Sequence, residues 1–188
     1  MVWSCLVSIL PGMAQTEKLT DYVNPFVGTD GYGNVYPGAQ IPFGGIQISP
    51  DTDSRFYDAA SGYKYNHLTL MGFSLTHLSG TGIPDLGDFL FIPGTGEMKL
   101  EPGTHEDPDQ GYRSRYSHDK EWASPNYYAV ELADYGVKAE MTSGVRSGMF
   151  RFTYPESDNA FIMIDMNHTL WQSCEWSNLR MINDSTIT

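Results

Sequence analysis

The chain has 188 residues, enough for one domain or part of a larger one. It is 40% apolar and only 18% charged, with Gly, Tyr, Phe and Pro common, which speaks against disorder and for a loop-rich all-β protein. The formal net charge of −12 repels phosphate backbones and sets the surface against nucleic acid, while leaving neutral sugars as partners for four Trp and twelve Tyr.

In chain order, the first feature is an apolar run, Val2–Leu10. It is followed by Met13-Ala14 and the polar stretch Gln15-Thr16-Glu17-Lys18. This is the pattern of a signal peptide cut after Ala14, and it predicts a periplasmic or extracellular location. The run is too short to span a bilayer, so an integral membrane protein is not expected. Cys5 falls in the segment to be removed. Cys174 is then alone, cannot form an internal disulfide, and is expected to be buried packing.

From Asn24 to about Gly103 the sequence is punctuated by Gly, Pro, Asp and Thr, which predicts loops joined by short strands. Gly45–Ser49 and Asp88–Ile92 read as strands, and Leu68–Thr76 is ambiguous. Beyond Ser124 the pattern is cleaner. Tyr127–Leu132 puts Tyr128, Val130 and Leu132 on one face. Val137–Met141 alternates, with Val137, Ala139 and Met141 inward and Lys138 and Glu140 outward. Asp134-Tyr135-Gly136 between them supplies turn chemistry for a β-hairpin. Met149–Tyr154 alternates again, and Pro155–Asn159 is a turn. Phe161–Ile164 is a continuous apolar run, as in a strand covered on both faces. Thr169–Cys174 and Leu179–Ile187 read as further strands. Short strands at regular spacing with no long helical period predict an antiparallel β-sandwich. The chain stops in strand-like sequence at Thr186-Ile187-Thr188, which predicts a domain incomplete at that end.

The polar clusters do not by themselves spell out a reaction. Gly80–Asp88 is Gly-rich, but a phosphate loop needs a following helix and favours a Lys, and strand-like Phe89–Ile92 follows instead. A structured loop at a sugar pocket fits better. Asp51 and Asp53 form an Asp-x-Asp pair that would suit a cation or, more simply, a turn with its backbone amides capped. His67, His77, His105 and His118 lack zinc spacing and read as hydrogen-bonded structural groups. Asp85 and Asp88 resemble an acid/base pair for inverting glycoside hydrolysis, which needs carboxyls roughly 6.5–9.5 Å apart. Their spacing in sequence does not fix that separation.

Several segments, in order, resemble glycoside hydrolase family 92. They are Tyr22–Thr29, Gly31–Ala39, Pro42-Phe43-Gly44, Gln47–Thr52, Ser61–Tyr65, Gly72–Gly82 and Asp85–Asp88. Downstream, Ser117-His118, Ala123-Ser124-Pro125, Tyr127-Tyr128 and Ala139–Thr142 continue the series. The likeness runs from about residue 20 to the end. It implies calcium-dependent, inverting exo-α-mannosidases that remove terminal mannose from glycans. Their architecture is an N-terminal β-sandwich packed on a larger (α/α)6 barrel. That barrel carries the catalytic carboxylates and most calcium contacts, and it is absent from this chain. By that resemblance this chain supplies no catalytic residue and no calcium ligand. The sugar-binding candidates it implies are Asp30, Tyr32, Asn34, Tyr57, His77, Ser79, Gly80, Thr81, Asp85 and Asp88. Tyr32 and Leu75 stand where many relatives carry His, and Tyr57 where α-1,2-specific members place a sugar-stacking Trp; both bear on linkage preference. The alternative reading is a free-standing carbohydrate-binding or surface-adhesion sandwich without catalysis.

Overall fold

In a computed structural model the described residues are 17–54 and 59–188. The N-terminal run with its cleavage site, and Tyr57, lie outside them. Among the described residues twelve strands form: β1 Ser49–Asp51, β2 Thr69–Leu70, β3 Gly72–Ser74, β4 Leu90–Thr95, β5 Ser114–Arg115 and β6 Glu121–Ser124 in the first two thirds. They are followed by β7 Tyr127–Leu132, β8 Val137–Ser143, β9 Gly148–Thr153, β10 Ala160–Asp165, β11 Met181–Asn183 and β12 Thr186–Ile187. Helical structure among the described residues consists of short 3-10 turns such as Leu19–Tyr22 and His118–Lys120. None is long and apolar enough to cross a membrane.

All strand pairs are antiparallel. Two four-stranded sheets, ordered β1-β3-β4-β10 and β6-β7-β8-β9, face one another. The main core lies between them. Ile48 and Phe73 from one side meet Tyr128, Val130, Leu132, Val137, Ala139 and Met141 from the other. Each such side chain contributes roughly 1.5–3 kcal/mol by leaving water. A smaller cluster of Met71, Leu90, Ile92 and Tyr112 covers the far side of the first sheet.

The predicted β7–β8 hairpin forms around Asp134–Gly136, with Leu132 opposite Val137. Its inward residues are those read from the alternation. Glu140, expected outside, is buried instead on the outer face. Arg151 on β9 and the Tyr127 hydroxyl bond to it at 2.6–2.8 Å. The Arg151 hydrogen bonds, then that of Tyr127, hold its carboxyl down to about 2. Because Arg151 itself is exposed, Arg151→Ala is expected to lower stability by less than about 1 kcal/mol, measured by urea unfolding.

Other expectations shift. Strand β1 begins at Ser49 rather than Gly45 and contains Pro50, which is tolerated because β1 is a sheet edge. Strand β4 runs from Leu90 to Thr95, and the Leu68–Thr76 segment is split between β2 and β3. The Phe161–Ile164 strand is not covered on both faces: β10 is the other edge, and Ile162 is 51% exposed. Thr169–Cys174 forms bends, not a strand, and Leu179–Ile187 folds back on itself as the small β11–β12 hairpin. Cys174 is only half-buried.

Candidate saccharide-binding site

The loops flagged by the sequence fall into two groups. The first joins residues 24–39 to the turn after β3. Gly80 N–H donates to the Asn34 carbonyl at 2.7 Å, and Val35 N–H to that of Gly28 at 3.3 Å. A side chain at Gly33 would put its Cβ 2.2 Å from the Gly28 carbonyl oxygen, so only glycine lets this loop close on itself. Asp30 accepts from the Gly31 amide, and Asn34 sits at φ 50 with its amide donating to the Tyr32 carbonyl. The loop presents Tyr32 almost wholly to solvent, 91% exposed. Gly80 and Thr81 are exposed beside it, while Ser79 lines a shallow depression of about 340 Å³ with Asn24, Pro25 and Asn126.

The second group carries Asp85 and Asp88. Both line a cleft of about 470 Å³ whose opposite wall is the segment 166–178, including Gln172, Ser173, Trp176 and Asn178. Thr76 Oγ1 donates to Asp88 at 2.7 Å, and Asp85 accepts from its neighbouring amide, Leu86 N–H, at 2.8 Å. These bonds orient the loop itself. The wall is tied on by Leu170 N–H to the Leu86 carbonyl, 2.8 Å, and by Trp171 N–H to that of Ser54, 3.0 Å. Trp171 sits at φ 74, a costly conformation for a bulky residue. On the other side of the same wall lies a second cleft of about 490 Å³, lined by Tyr112, Asp165, Asn167 and Trp171. The indoles of Trp171 and Trp176 are 59% and 79% exposed, one in each cleft. Exposed flat apolar rings beside amides and hydroxyls suit a sugar, whose C–H face stacks while its hydroxyls hydrogen-bond.

Beneath the wall sits a buried charge cluster. Asp51, at the end of β1, is fully enclosed. It accepts from His77 Nε2 at 2.8 Å and from His168 Nε2 at 2.7 Å. Burial alone pushes the Asp51 carboxyl up, but the charge on His77 and the bonds from both histidines outweigh it and hold the group well below the carboxylate range. Gly62 lies against the carboxylate: at φ +84, a Cβ there would stand 2.0 Å from Asp51 Oδ1. Asp53 accepts from His105 Nε2 at 3.1 Å, and His67 Nδ1 meets Thr52 Oγ1 at 3.0 Å. The Asp-x-Asp pair thus holds histidines.

His77 was a sugar-binding candidate, yet both its ring nitrogens are engaged inside the fold, Nδ1 with the Gln47 carbonyl at 2.7 Å. The pattern reading missed His168, Trp171, Gln172 and Trp176; Asp51 and His168 are 117 positions apart, and no local spacing signals their contact. No group of three or more His, Cys, Asp or Glu among the described residues is placed to hold a metal.

The family model of the glycosyl hydrolase family 92 N-terminal domain matches residues 22–188. An uncharacterized secreted glycosidase of Arthroderma benhamiae is 30% identical over 139 residues, 73% of this chain and 17% of that protein. The solved structure of the GH92 family glycosyl hydrolase ccman5 superposes with a TM-score of 0.68 at 31% identity, over 80% of this chain and 20% of its own. That of the family GH92 inverting mannosidase BT2199 from Bacteroides thetaiotaomicron does so with a TM-score of 0.64 at 27% identity, over the same shares. The chain spans about a fifth of the length of these relatives. With its all-β sandwich and the match across residues 22–188, the chain belongs to glycosyl hydrolase family 92, within that family's N-terminal domain.

Proposed function

We propose that this chain is the sandwich part of an exported, calcium-dependent, inverting exo-α-mannosidase that trims terminal mannose from glycans. Its role is to supply one wall of the sugar pocket and the surface on which a helical-barrel domain packs. The proton-transferring carboxylates and the calcium ligands would lie in that second domain. The observation that carries this reading is the superposition of four fifths of the chain on an inverting mannosidase. The hydrogen bonding of Asp85 and Asp88 within their own loop agrees with it, since groups so engaged orient a wall rather than relay protons. Asp30, Tyr32, Asn34, Ser79, Gly80 and Thr81 would reach the sugar from the first loop group, with Tyr57 completing the set.

Purified 1–188 is expected to show no turnover of an aryl α-mannoside in calcium above a no-enzyme control. The same sandwich joined to its helical barrel is expected to turn over, to release β-mannose first by NMR, and to stop when calcium is chelated. Turnover by 1–188 alone would overturn the assignment of chemistry to the second domain.

A further inference from the structure

We infer that His168 is a saccharide-contacting residue, its Nδ1 hydrogen-bonded to a sugar hydroxyl. The inference rests on the proposal that this domain handles saccharide.

His168 follows β10 and stands in the wall shared by the two clefts, lining both. Its side chain is 3% exposed, and Nε2 points inward to Asp51. Nδ1 has no hydrogen-bond partner among the described residues. Asp51 accepts the Nε2 proton, and Nδ1 is the ring nitrogen left for a ligand.

A ring nitrogen in a nearly closed position lowers the free energy only when a hydrogen-bonding partner reaches it. The chemistry around it selects that partner. Asp85, Asp88 and Asp165 line the clefts and the chain carries −12 overall, so anions are repelled. Trp171 and Trp176 flank the residue with exposed ring faces. A neutral ligand with a flat C–H face and hydroxyl donors meets all of these conditions.

The test is long-range 1H–15N NMR of the imidazoles in the 188-residue chain, titrated with methyl α-D-mannopyranoside and methyl α-D-glucopyranoside, with the tryptophan indoles followed in parallel. The expected result is a His168 protonated at Nε2, whose Nδ1 resonance moves with added glycoside. His168→Phe, which keeps ring volume and removes the ring nitrogens, is expected to weaken mannoside binding about tenfold, the worth of one hydrogen bond. If that variant does not fold, the parent titration decides alone. Movement of Nδ1 with the glucoside and not the mannoside would support the inference and overturn the mannose reading. Indole shifts with an unmoved His168 would overturn the inference and leave the mannosidase reading standing. No response of any cleft resonance to either glycoside would also overturn it.

Discussion

Asp51→Ala is expected to destabilise the domain by about 3–5 kcal/mol, the loss that follows when one member of a buried ion pair is removed. The carboxylate has no access to water, and two histidines from distant segments depend on it. Its removal leaves His77 Nε2 without its carboxylate, next to Ser74 and beneath the Tyr36 ring. It also frees His168, and with it the inner anchor of the wall between the clefts. The pH dependence has a definite sign. The Asp51 carboxyl is depressed in the fold relative to about 3.9 in an unfolded chain. The stability it contributes is therefore full above about pH 4 and is lost as the pH falls through the lower folded value. Thermal unfolding of the parent should fall steeply below about pH 4, and the Asp51→Ala profile should be flatter over the same range. A loss under about 1 kcal/mol at pH 7, or parallel acid profiles, would show that the cluster does not carry a buried ion pair.

What the sequence disclosed, and what it hid, divide along one physical line. The β7–β8 hairpin and β9 were legible because alternation of side chains and turn chemistry are local properties, complete within some seven residues of each position. The Thr169–Cys174 segment misled for the opposite reason. Its residues favour a strand, but Leu170 and Trp171 donate their amides to loops far away in sequence, at Leu86 and Ser54, and so bend. Phe161–Ile164 gives the period of a strand but not its place in the sheet order, and only that place decides that Ile162 faces water. The candidate site shows the same split. Glycines such as Gly33 and Gly62 stand out in sequence because they permit close approach. The partner they make room for is visible only in three dimensions. Asp51 and Asp53 were read as turn residues because the histidines that use them come from three separate parts of the chain.

Phe73→Ala is the second substitution expected to cost about 3–5 kcal/mol. Phe73 is fully buried at the middle of β3, opposite Phe91 on β4 and Pro50 on β1. Its ring lies 6.5 Å from that of Phe150 and 6.3 Å from that of Phe152, both on β9 of the facing sheet. It is thus among the contacts that make two sheets into a sandwich. The Pro50 ring and the paired backbones on either side leave little freedom to collapse into the space, so the cavity should persist and the cost should lie toward the upper part of the range. Denaturant unfolding should show a lower midpoint with an unchanged slope. In a double-mutant cycle, Phe73→Ala and Phe150→Ala should be coupled by about 0.5–1.5 kcal/mol, as expected of rings in contact rather than independent apolar burial. A loss near 1 kcal/mol without coupling would mean that the sheets are held together elsewhere. The consequence reaches the clefts, because Ser74 ends β3 and His77 follows it by three residues: whatever loosens Phe73 also loosens the histidine bonded to Asp51, and through Asp51 the orientation of His168.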